Sequence, residues 1–231
     1  MTTVTRHRPR ATRRPSSTEW LELLATDGPF LAAPVVTDVW PSGLPALDKQ
    51  RVARLREASS LLDASPGTRD AFIRHVVADL LGWDAHLANR GHVPPALNTA
   101  VPEYATEIRP DFALLTTDGD QPPKALLLGM VLDPGRDPTA RPRPDAGISW
   151  AASPADRLAY ALRTQRVPLG LVTDGTAWSL VCAPVGGATT TATWTRHAWF
   201  DEPDTLKAFV ALLGRLRFFG VPDTETLPAL L

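Results

Sequence analysis

Glu107-Ile108-Arg109-Pro110-Asp111-Phe112-Ala113-Leu114-Leu115 begins a run of strand and helix signals that continues to Trp178. This first segment reads as a strand carrying an acid. A turn at Asp118-Gly119-Asp120-Gln121 follows, then a second apolar strand from Lys124 to Leu132. Next comes a helix from Ser153 to Arg166. Its start is well marked, with Ser153 as cap, Pro154 at the first helical position and Asp156 three residues after the cap. The run closes on a strand–turn–strand from Val167 to Trp178, with Asp174-Gly175 between the strands. Strands interleaved with a crossover helix predict an α/β fold. The expected form is a mixed sheet of four to six strands flanked by helices, preceded by a helical N-terminal subdomain.

Outward from this core, residues 1–16 read as a disordered basic tail of Arg, Thr, Pro and Ser. Residues 17–90 form the helical subdomain. Ser17 or Thr18 caps a short helix from Glu19 to Ala25, and Phe30 to Pro45 reads as an extended segment broken by Pro34, Pro41 and Pro45. Two longer helices follow, Leu47 to Leu62 and Thr68 to Leu81, the second ended by Gly82. Asp84 to Asn89 adds one turn, and residues 90–102 are a Pro/Gly loop. The α/β core spans 100–214 and includes a long loop over 133–152, a Thr-rich strand from Thr189 to Phe200 and a closing helix from Asp204 to Leu213. Residues 215–231 read as a linker or the beginning of a helix leading to a downstream domain.

Bulk properties narrow the classes. The chain has 231 residues, 44% hydrophobic and 21% charged, with a net charge of −1. That suits a globular core and excludes a uniformly basic nucleic-acid binder. The basic residues are unevenly spread, with Arg6, Arg8, Arg10, Arg13 and Arg14 near the N-terminus and Arg136, Arg141 and Arg143 in the long loop. Both groups are candidate contacts to a phosphate backbone, each arginine adding salt-dependent affinity without sequence preference. Cys182 is the only cysteine, which excludes an internal disulfide and a Cys-rich zinc site, and its apolar strand makes it an inert core thiol. No apolar run reaches the roughly 18 residues of a membrane span. No secretory signal is legible, and a cytoplasmic protein is expected.

The strand pair around Asp111 carries the chemistry. Metal-dependent nuclease cores of the PD-(D/E)xK kind place an Asp and a Glu/Asp-x-Lys triplet on adjacent strands. The carboxylates hold Mg²⁺ at the scissile phosphate, and the lysine orients water and offsets charge. Arg109-Pro110-Asp111-Phe112 supplies the first half, with Glu107 as a possible helper. On the second strand, Met130 falls where the second acid belongs and Leu132 where the lysine belongs. Asp133 is one residue out of register, which turns it to the other face of the sheet. Asp111 alone is a poor Mg²⁺ ligand set. Otherwise Asp111 caps a strand or pairs with Arg109.

At these residues the chain resembles the N-terminal domain of large bacterial restriction-modification-type adenine methyltransferases. These include type II fusion enzymes and the methyltransferases of DISARM-like antiphage systems. The resemblance is carried by Trp20 to Leu24, Gly28 to Leu31 and Pro34 to Val36, by Arg69 to Ile73 and Leu80 to Trp83, and by Arg109 to Phe112 and Gly170 to Trp178. Related nuclease-like domains of type I restriction subunits carry a Gln-x-x-x-Tyr helix, and here Asp156 and Tyr160 stand in that spacing. The departures at Met130, Leu132 and Asp156 count against cleavage, not against the fold.

The resemblance implies a catalytically degenerate nuclease-like domain that binds DNA or docks a defence-system subunit. Two alternatives are an active Mg²⁺-dependent nuclease built on Asp111, Glu107 and Asp133, and a protein-interaction module with no nucleic-acid contact. No cofactor is expected in this chain unless the nuclease site is active. Motifs for the target adenine and for S-adenosylmethionine are missing from 1–231, so methyl transfer would belong to a downstream domain. The five histidines show no metal spacing. Trp40, Trp83, Trp150, Trp178, Trp194 and Trp199 read as core or edge packing rather than base-stacking platforms.

Overall fold

Near-continuous apolar runs, covered on both faces, set the central strands, and the helix between two of them lets that pair run parallel. The computed structural model describes residues 18–116, 123–142 and 150–231. Among these the strands are β1 (Ala25–Asp27), β2 (Leu87–Ala88), β3 (Thr99–Val101), β4 (Thr106–Ile108), β5 (Phe112–Leu115), β6 (Ala125–Val131), β7 (Leu169–Thr173), β8 (Ala177–Cys182) and β9 (Thr190–Thr195). The helices are α1 (Ala33–Val39), α2 (Lys49–Ala64), α3 (Arg69–Arg74), α4 (Pro154–Gln165), α5 (Ala198–Asp201), α6 (Pro203–Leu213) and α7 (Leu227–Leu230).

The protein is α/β, with a seven-strand mixed sheet in the order β1-β9-β8-β7-β6-β5-β2 and a separate β3-β4 hairpin. The expected four to six strands fall short because two very short strands, β1 and β2, add to the sheet edges. β6 and β7 pair parallel across the α4 crossover, and the other neighbours pair antiparallel. One face of the sheet packs Leu128, Val172 and Val181 against Leu158, Ala159 and Leu162 of α4. Gly170 permits this approach, since a Cβ there would lie 2.5 Å from the Leu158 side chain. The opposite face meets α2, α3 and α6 in the main core, which includes Leu55, Phe72, Val76, Leu171, Leu180 and Phe209. Trp178, Trp194 and Trp199 surround Phe209 with ring centroids 5.8, 5.5 and 4.9 Å away. Each such aromatic pair adds about 0.5–1.5 kcal/mol beyond area burial.

A buried charge also joins the layers. Arg196, 3% exposed, follows β9 and donates to the Ser59 carbonyl at 3.0 Å, the Ser59 hydroxyl at 2.6 Å and the Asp63 carboxylate at 2.5 Å. Its guanidinium also lies over the Phe72 ring.

Several elements differ from the sequence expectation. The first helix is a 3₁₀ turn, Glu19–Leu23, and the chain then turns into β1 on the sheet edge. Phe30 to Pro45 is not wholly extended. It contains α1, because Pro34 sits in the first turn, where its missing N–H costs nothing. The Thr68–Leu81 helix is α only to Arg74, and His75–Leu80 widens into a π turn before Gly82 ends it in the left-handed region. Arg51 donates to the carbonyls of Asp79 and Leu80, which satisfies that unusual end. The expected 90–102 loop holds β3. The strand expected over Glu107–Leu115 is broken at Arg109-Pro110-Asp111, so β4 joins the hairpin and β5 joins the main sheet. The α4 start is as expected, with Ser153 and Asp156 forming a reciprocal capping box. In the segment 215–231, Leu227 is fully buried in the main core. No described helix is long and apolar enough to cross a membrane.

Candidate functional site

The break before β5 decides what the two acids can do. Glu107 remains on the hairpin, where it accepts from Arg109 Nε at 2.5 Å. Asp111 begins the main-sheet segment, and its backbone N–H donates to Gly129 O at 2.8 Å. Its Oδ2 accepts from the Val131 backbone N–H at 2.8 Å. Its Oδ1 accepts from Arg90, with Nε at 2.9 Å and a second nitrogen closer still. Asp111 therefore pairs with Arg90, not Arg109, and fastens the end of β5 to β6. The Asp111 carboxylate holds the Arg90 pKa above its ordinary value by hydrogen bonding and charge attraction. A guanidinium already supplies the positive charge that a metal ion would bring.

The positions of the expected acid and lysine are filled by apolar packing. Met130, like Trp150 and Tyr160, packs against the cluster of Val101, Ile108 and Ala161. Leu132, 7% exposed, packs with Ala155 and Leu158 of α4. Asp133 lies past the end of β6 and is exposed. Among the described residues no three of His, Cys, Asp and Glu lie close enough to hold a metal ion. The residues around Asp111 thus do not fit the Mg²⁺ that the nuclease pattern implies.

Two cavities flank this region. The smaller, about 260 Å³, is lined by Arg69, Asp70, Arg74, Asn89, Arg90 and Asp111, with apolar residues at its floor. Arg69, in its lining, donates to the Leu132 carbonyl at 2.9 Å. The larger, about 640 Å³, is an open groove beside α4. Tyr104, Trp150 and Tyr160 line it together with Arg141, Asp156 and Arg163. Tyr104 stacks on Trp150 at 5.3 Å between centroids and 10° between planes, and Tyr160 meets Trp150 edge-on at 5.8 Å. The Arg157 guanidinium lies 5.3 Å from the Trp150 centroid and donates to the Trp150 carbonyl at 2.8 Å.

Of the predicted basic contacts, Arg136 is exposed after a turn anchored by Asp174, whose carboxylate accepts from Gly135 N–H at 2.9 Å. Arg141 is exposed and lies 3.5 Å from Asp156. Arg6, Arg8, Arg10, Arg13, Arg14 and Arg143 lie outside the described residues, as does the turn at Asp118–Gln121. Sequence reading missed Arg90 as the partner of Asp111, because the two are 21 residues apart with no pattern linking them. Trp150 packs at an edge, as expected, against the cluster of Val101, Ile108 and Ala161, and it also forms part of the groove wall. Burial raises the pKa of the Cys182 thiol, as suits the inert core role. Compared with family models, with curated proteins and with solved structures, the chain matches none.

Proposed function

We propose that this chain is a nuclease-like domain that has lost its metal site and binds DNA without cutting it. In this reading it serves a bacterial restriction-modification or antiphage-defence protein. The observation that carries the reading is the state of the β5–β6 pair. The acid of the nuclease pattern is present at Asp111, but both its oxygens hold the sheet end and Arg90 together. The positions for the second acid and the lysine are the packed side chains Met130 and Leu132. The α/β sheet with helices on both faces supports the PD-(D/E)xK-like architecture, and the arginine-bearing groove supports nucleic-acid contact. Methyl transfer with S-adenosylmethionine belongs, in this reading, to a different domain.

The test places one labelled duplex and one labelled single strand with the protein, in Mg²⁺ or Mn²⁺ against EDTA, beside Asp111→Asn. Salt-sensitive binding with no metal-dependent cleavage is the expected result. Cleavage that needs metal and disappears in Asp111→Asn would establish a working nuclease instead. No binding even at low salt would leave a protein-docking module as the better account. Asp111→Ala is expected to lose about 1–3 kcal/mol of stability, because the Val131 N–H and Arg90 lose their acceptor.

A further inference from the structure

The groove beside α4 has a composition that neither a packing role nor the lost metal site explains. Tyr104 is a large aromatic residue at 39% exposure on the tip of the β3-β4 hairpin, already stacked nearly parallel on Trp150. A hydrophobic ring in that position leaves surface open to solvent that a further planar group would cover. Among the described residues around it, arginines outnumber acids. Arg141 and Arg163 line the groove, Arg157 lies over Trp150, and Asp156 is the one acid among the described lining residues. Asp156 is committed to the α4 capping box as well as to Arg141. The Arg157 Nε is buried with no hydrogen-bond partner. Burial and the nearby Arg136 both lower the Arg157 pKa, so these two arginines sit close enough to repel.

A planar, open stacking surface beside clustered arginines matches an unpaired nucleobase with its phosphate. The arginines among the described lining residues disfavour a cation-binding aromatic cage. The volume of about 640 Å³ accommodates a nucleotide. We propose that this groove is a subsite for an unpaired nucleotide of single-stranded DNA, with its base stacked on Tyr104 and its phosphate near Arg141 and Arg163. The inference rests on the DNA-binding reading above and sharpens it to a preference for frayed or single-stranded segments.

Tyr104 is 39% exposed on a hairpin tip, and a urea melt of each variant checks that its fold is retained. The experiment compares wild type, Tyr104→Ala and Tyr104→Phe on a 2-aminopurine-labelled single strand and on a blunt duplex of the same sequence, across a salt series. Quenching of 2-aminopurine on binding reports stacking. The expected result is a tenfold or greater loss of single-strand affinity and of quenching in Tyr104→Ala, with affinity retained in Tyr104→Phe and duplex binding unchanged. Wild-type binding of both DNAs that is indifferent to Tyr104→Ala would overturn this inference and leave the DNA-binding reading standing. Failure of the wild type to bind either DNA would overturn both.

Discussion

Arg196 brings a full positive charge to 3% exposure, and the acceptors around it explain how that is tolerated. Ser59 supplies two oxygens and Asp63 a charged one, across more than 130 residues of chain. The guanidinium beside Asp63 holds its carboxyl below the usual carboxylate range. A depressed folded-state pKa gives stability that is fully present above the unfolded value, about 3.9 for Asp, and that fades as pH falls through the folded value. Urea melts of Asp63→Asn against wild type should therefore converge at strongly acidic pH and separate above about pH 4. Asp63 is more than half exposed, so salt should shrink the gap. None of this was legible beforehand, since neither Asp63 nor Arg196 belongs to a motif. Asp111 was legible as a residue of interest, and one of its two structural alternatives, closing a strand, is what its hydrogen bonds do. Its partner was not, because Arg90 arrives from a loop that no local pattern assigns.

Elements with a local cause were the readable ones. The cap Ser153, Pro154 and Asp156 announced α4, and Asp174-Gly175 announced the β7–β8 turn. Elements with a tertiary cause were not. β1 and β2 are three and two residues long and exist because a sheet edge is there to receive them. The break before β5 follows from Arg109-Pro110, since proline cannot donate to a ladder. The β5–β6 pair itself depends on a single absent side chain. Phe112 stands opposite Gly129, and a Cβ at Gly129 would lie 2.2 Å from the Phe112 ring. Gly129→Ala should cost about 1–3 kcal/mol in chemical denaturation through overpacking. Phe112→Leu combined with Gly129→Ala should recover part of that loss. A strictly additive double variant would show that the ring and the glycine are not coupled.

At the scale of the molecule, a helical front part and a sheet were expected as successive units. Instead the main core runs from Trp20 through the sheet to Leu227, so residues far apart in sequence share one apolar interior. Apolar periodicity identifies which residues are buried, but it does not say which elements they are buried against. The smaller cavity lies between α3 and the β5–β6 ends and the larger beside α4, so the two are lined by different residues.

The tryptophans have a further use that follows from where they sit. Six of the seven, all but Trp150, are at most 7% exposed. Trp150 alone is half-buried, in the wall of the groove. A collisional quencher such as acrylamide should therefore extinguish the Trp150 share of the intrinsic emission at concentrations that leave the other six bright. A molecule seated in the groove should shield that share, and one bound elsewhere should not. The unlabelled protein carries its own optical gauge of groove occupancy, and Trp150→Phe, by erasing the quenchable fraction, would verify the assignment.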